Sequence, residues 1–248
     1  MLPDGNEPAA GLIDVDGTLY GTTAWGGGYG HGAAFSITSS GTEKVLHSFG
    51  KGTDGYYPQA GLIDVGGTLY GTTEYGGSGS CSNDFYHGCG TVFSITTGGK
   101  EKVLHSFSDA GAQGSNPLAG LIDVGGALYG TTFQGGYGGR GTVFRITTGG
   151  TEKVLHNFGL GTDGCYPLAA LVDVGGTLYG TTYSGGMYGV GTAFSITTSG
   201  VEKVLHSFGN GSDGVFPVAG LIKVNETLYS TTYNGGLHNA GTVFALTP

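Results

Sequence analysis

Apolar and polar positions alternate along this chain in short runs, and the runs recur. "AGLIDV" spans 10–15, 60–65 and 119–124, with "AALVDV" at 169–174 and "AGLIKV" at 219–224. "TLYGTT" follows at 18–23, 68–73 and 177–182, with "ALYGTT" at 127–132 and "TLYSTT" at 227–232. A third run, "GTVFSIT" at 90–96, has counterparts at 32–38, 141–147, 191–197 and 241–247. A fourth, "EKVLHSF", occupies 43–49, 101–107 and 202–208, with "EKVLHNF" at 152–158. Each run is rich in β-branched and aromatic residues and is bounded by Gly, Asp, Asn or Pro, which is the signature of a strand. No stretch carries a helical period.

The links between runs are short and Gly-rich, as hairpins require. Four strands per unit of about 50 residues predict propeller blades. The expectation is an all-β, five-bladed β-propeller filling one domain, residues 1–248. Its blades fall at about 8–50, 58–108, 117–159, 167–209 and 217–248. The fourth run is absent from the last unit, so the fifth blade lacks its own outer strand. An uncovered strand edge invites pairing with another chain.

The unit "DGYYPQAGLIDVGGTLYGTTEYGG" (54–77), continued by "GTVFSITTGGKEKVLHSF" (90–107), resembles the Gloeobacter–Verrucomicrobium tandem-repeat family of exported bacterial proteins. The resemblance covers nearly the whole chain. It implies export or surface anchoring and supplies no catalytic residues.

Composition narrows the remaining possibilities. Glycine accounts for 55 of 248 residues without a collagen period, and 15 Tyr with 12 Phe are enough aromatics for a packed core. Nine basic against 18 acidic residues leave no basic face for nucleic acid. No apolar run approaches the roughly 20 residues of a membrane helix. Cys81 and Cys89 are spaced to close a small disulfide, which hints at an oxidising compartment; Cys165 has no evident partner. Asn210 and Asn225 open glycosylation sequons.

Up-and-down blades put the second–third and fourth–first loops at one end, and the variable aromatics gather there. Trp25, Tyr29, Tyr75, Tyr86, Phe133, Tyr137, Tyr183, Tyr188 and Tyr233 form a candidate rim for a glycan or another protein. The same residues could instead shield Gly-rich turns. The second unit carries an insertion, "SGSCSNDFYHGC" (78–89), where Asn83, Asp84, Tyr86 and His87 could wall a site.

Asp14, Asp64, Asp123, Asp173 and Lys223 recur on the innermost strand as a candidate axial polar ring, although such residues can also serve local hairpins. His47, His105, His156 and His206 lie on outer strands, too far apart to share one metal, and read as structural. No metal ligand set, cofactor motif or nucleophile elbow is present. The sequence therefore predicts an extracellular, non-enzymatic propeller that binds or assembles, including with copies of itself through the open edge of the last blade. A lectin-like carbohydrate module using the rim is the first alternative, and a glycoside-active enzyme the second.

Overall fold

The computed structural model of the 248-residue chain describes residues 4–81 and 87–248. Among them there is no helix. The first four repeats each form a four-stranded antiparallel sheet, with strands in chain order from the inside out. In the second blade these are Ile63–Val65, Thr68–Thr73, Thr91–Thr96 and Glu101–Ser106. The fifth blade has three strands, Ile222–Val224, Thr227–Gly235 and Val243–Leu246. The all-β blade architecture is thus as the pattern of apolar runs predicts, including the missing outer strand.

"TLYGTT" owes its recurrence to packing on both faces. Leu69, Leu128, Leu178 and Leu228 are fully buried against the preceding blade. Tyr20, Tyr70, Tyr129 and Tyr179 are buried toward the following one. Gly71 must lack a side chain, because a Cβ there would come 2.7 Å from the Phe93 ring and 2.9 Å from Leu62. Phe93, Phe144 and Phe194 are buried across these glycines and meet Phe49, Phe107 and Phe158 of the preceding blade edge-on, with centroids 4.9–5.1 Å apart. Fully burying one such ring contributes roughly 1.5–3 kcal/mol.

The two threonines divide two tasks. In the first two blades the first crosses the seam: Thr22 donates to the Ala60 carbonyl (2.9 Å), and Thr72 to that of Ala119 (3.0 Å), whereas Thr131 Oγ1 is buried without a hydrogen-bond partner. The second stays within the blade. Thr73 accepts from the Thr91 amide and pairs with its hydroxyl at 2.8 Å, leaving no buried polar group there unmet.

A further element sits above each seam. Glu7, Tyr57, Asn116, Tyr166 and Phe216 each precede a proline and adopt left-handed backbone, φ 57–60°. Such backbone is uncommon for any residue but glycine, and costly for bulky ones. It is held from both sides: Tyr57 N–H donates to His31 O of its own blade (2.9 Å), and its carbonyl accepts from Glu74 N of the next (3.1 Å). These five residues are thereby aimed at the rim.

Candidate functional site

At four seams the side chain of this left-handed residue lies beside the residue following "TT" in the blade preceding that seam: Ala24, Glu74, Phe133 and Tyr183 for Tyr57, Asn116, Tyr166 and Phe216. At two of the rim positions the outcome is a ring pair. Phe133 lies 5.1 Å from Tyr166, with the Arg140 guanidinium 5.5 Å from the Tyr166 ring, and Tyr183 stacks on Phe216 at 5.0 Å and 24°. At the second blade the same two positions hold Glu74 and Asn116. Asn116 Nδ2 donates to the Glu74 carbonyl (3.3 Å), and its own carbonyl accepts from Phe133 N (2.9 Å). With no ring pair to fill the space, a cleft of about 730 Å³ opens, lined by Glu74, Tyr75, Asp109, Asn116, Phe133 and Tyr137. A second cleft of about 300 Å³ adjoins it, lined by Glu7, Trp25, Tyr57, Gln59, Glu74 and Tyr75.

Glu74 belongs to both. Its carboxylate accepts a hydrogen bond from Gln59 Nε2. Burial pushes its pKa above the usual carboxylate value, while hydrogen bonds from Tyr75 and Gln59 pull the other way. A half-buried carboxyl with a raised pKa in the larger of these two clefts is the arrangement expected of an acid–base group. Around it stand apolar ring faces and several amide and carboxyl groups, a lining suited to a small polar molecule.

Of the predicted rim, Tyr75, Phe133 and Tyr137 line the larger cleft and Trp25 the smaller, where its ring lies 4.2 Å from Tyr57. Tyr183 is committed to Phe216 and stands apart from both clefts. Tyr29, Tyr188 and Tyr233 are exposed. Tyr86, with Asn83 and Asp84, lies outside the described residues. His87 is exposed, and Cys81 and Cys89 are joined in a disulfide with Cα atoms 5.4 Å apart, Cys81 lying on the wall of the larger cleft.

The inner-strand carboxylates turn to their own hairpins: Asp14, Asp123 and Asp173 accept from the amides of Gly17, Gly126 and Gly176 at 2.8–3.0 Å. Asp64 and Lys223 are exposed at the matching positions. These contacts tie the carboxylates of Asp14, Asp123 and Asp173 to their own turns.

The outer-strand histidines have partners that the sequence reading did not assign. His47, His156 and His206 each pair through Nε2 with an aspartate seven residues on, Asp54, Asp163 and Asp213, at 2.7–3.0 Å. At the first seam Glu101 joins, and ligand atoms of His47, Asp54 and Glu101 lie within 4.8 Å of one another, close enough to hold a metal ion. Burial, then the charge of Asp54, raises the Glu101 pKa to about 7 against the opposing pull of His47. Glu202, beside Asp163, is likewise raised to about 7, by burial first. His105 has Gln113 in place of the aspartate; its Nε2 is buried without a hydrogen-bond partner, and burial lowers its pKa. The constant spacing of seven was the available signal. For Glu74 and Asn116 it was the break in a repeated position, where Ala24, Phe133, Tyr183 and Tyr233 stand in the other repeats for the former, and Tyr57, Tyr166 and Phe216 for the latter.

Fold and clefts together define a β-propeller-like protein whose rim, among the described residues, opens into two adjoining clefts. The Gloeobacter/Verrucomicrobia repeat matches residues 2–85 and 78–248, and the chain belongs to that family. No curated protein matches it in sequence. Solved structures share the fold. Virginiamycin B lyase from Staphylococcus aureus superposes with a TM-score of 0.54 at 15% identity, over 97% of this chain and 70% of the lyase. A luciferin-regenerating enzyme gives 0.59 at 14% identity, over 98% and 78%. A gluconolactonase from Xanthomonas campestris gives 0.51 at 16% identity, over 87% and 68%. These likenesses correct the sequence-based expectation of a non-enzymatic role in binding or assembly. The similar structures are enzymes, so a repetitive propeller without a familiar catalytic motif is no argument against catalysis.

Proposed function

We propose that this protein acts on a small, oxygen-rich polar molecule held in the rim cleft, with Glu74 as the group that takes up and returns a proton. The observation that carries the reading is the Glu74 carboxyl, half-buried between two adjoining clefts with its pKa raised by burial. Tyr75, Phe133 and Trp25 offer ring faces, while Asn116 and Gln59 offer amides. Sugars and sugar-derived lactones present the matching mixture of apolar faces and oxygens. The lactonase and the lyase among the similar structures support a reaction in which a proton moves at an oxygen or beside a carbonyl. The Cys81–Cys89 disulfide supports work outside the reducing cytoplasm.

Trp25 is the one tryptophan of the chain and lines the smaller cleft, so its emission reports occupancy. Titration with sugars, sugar acids and sugar lactones is expected to shift that emission for at least one class. Product analysis on that class is expected to show turnover that Glu74→Gln lowers by roughly a hundredfold or more. A silent tryptophan across the panel, or unchanged turnover in Glu74→Gln, defeats the proposal.

A further inference from the structure

Each internal seam buries the forward face of one blade on the rear face of the next. At the first seam Ile13, Val15, Tyr20, Ala34, Leu46 and Phe49 pack on Leu62, Leu69, Phe93 and Ile95. The same positions fill the second, third and fourth seams. Two such faces have no counterpart among the described residues: the rear of blade 1 and the forward face of blade 5.

The contrast with the internal seams is large. Leu62 and Leu121 are 2% exposed, whereas Leu12 at the same position is 47% exposed. Val92 and Val143 are fully buried, whereas Val243 is 77% exposed, and Ile222 beside it 61%. The backbone agrees. A Cβ on Gly61 would lie 3.3 Å from Gly11 O, and one on Gly99 2.7 Å from Leu46 O of the preceding blade. At the equivalent Gly11 and Gly41 it would meet nothing within 4 Å. Thr22 and Thr72, buried donors across their seams, correspond to Thr231, which is exposed.

We infer that these two faces bind each other between molecules, the rear face of blade 1 of one copy docking on the forward face of blade 5 of a second. The occupant is a second copy because both halves of a seam already built four times are present on one chain, unpaired. Leu12, Leu19, Phe35 and Ile37 would take the places of Leu62, Leu69, Phe93 and Ile95. Ile222, Val224, Tyr229 and Val243 would receive them. Contiguous exposed apolar surface of this kind marks interaction sites, and a contact between two different faces is heterologous, so it propagates unless the rotation closes a ring. The inference is independent of the Glu74 reading, since neither face includes the cleft.

Sedimentation velocity and light scattering of the intact chain test it. The wild-type protein is expected to associate with rising concentration. Leu12→Lys and Val243→Lys, both at exposed positions, are each expected to weaken association by about tenfold or more with unchanged circular dichroism. Mixed, the two variants are expected to form a one-to-one dimer and nothing larger, since each keeps the face that the other has lost. A wild-type protein that stays monomeric up to its solubility limit overturns the inference. So does association that survives both substitutions, which would place the contact elsewhere, or a mixture that fails to pair.

Discussion

The rim shows two solutions to one backbone geometry. At the fourth seam, Tyr183 stacks on Phe216 and the space between blades is closed by rings. At the second seam the same left-handed residue is Asn116 and the opposing wall carries Glu74, and a cleft opens. The blades beneath hardly differ: Phe107 meets Phe144 at 5.1 Å under the open seam, and Phe208 meets Phe244 at 4.8 Å under the closed one. Repetition therefore maintains the scaffold, and two departures from the repeat, Glu74 and Asn116, place a half-buried titratable group in an accessible cleft. Asparagine also adopts left-handed backbone at lower cost than tyrosine or phenylalanine, so the open seam stores less strain than the closed ones.

The most damaging way to break the contrast is Glu74→Gln, which keeps the shape of the cleft and removes its acid. Turnover of a responsive ligand is expected to fall by roughly a hundredfold or more while the Trp25 emission change on binding persists. Filling the cleft comes next. Asn116→Tyr copies Tyr57 and Tyr166 and is expected to weaken ligand binding by about tenfold, measured by the same emission, with the fold retained because the backbone already accepts tyrosine at this φ elsewhere.

A third test turns to the outer seams. Glu101, Glu152 and Glu202 have pKa values raised from 4.5 to about 7, chiefly by burial. The folded protein thus holds protons that the unfolded chain releases, and stability falls as pH rises through the window from 4.5 to about 7. His105, lowered by burial, acts in the opposite sense, losing stability as pH drops below 6.5. The net expectation is a melting temperature that declines from mildly acidic to mildly alkaline pH. Replacing the three glutamates by glutamine is expected to flatten that decline, as scanning calorimetry would show. The smallest effect is expected at the closed seam: Tyr183→Ala costs about 1 kcal/mol of stability by denaturant titration and leaves ligand binding near Trp25 unchanged.

The scaffold was readable in the sequence because its causes are local and repeated. Alternating apolar residues, hairpin glycines and the buried Leu and Tyr of "TLYGTT" follow from the period of a strand. The unpaired outer position of the last blade was equally plain. The site was readable only in part. Trp25, Tyr75, Phe133 and Tyr137 drew notice as aromatics, but so did Tyr183, which stacks on Phe216 and lines neither cleft. Glu74 escaped because a single acid in a variable loop has no meaning until Asn116, 42 residues later, is placed beside it. The His47–Asp54 pair escaped because the recurring histidines were read on their own as structural, and only the return of the chain from outer to inner strand brings His47 and Asp54 together. The inner aspartates illustrate the converse: recurrence suggested a shared site, while hydrogen bonds tie them to their own turns.

The most direct test of the account is a carboxyl-carbon NMR titration of Glu74, assigned by its loss in Glu74→Gln, with and without a sugar lactone. The account predicts a midpoint above the ordinary glutamate value of 4.5 and a resonance that moves when the lactone is added. A midpoint at or below 4.5 with a resonance indifferent to lactone would show Glu74 to be an ordinary solvated side chain, and the cleft would lose its claim to be the working site.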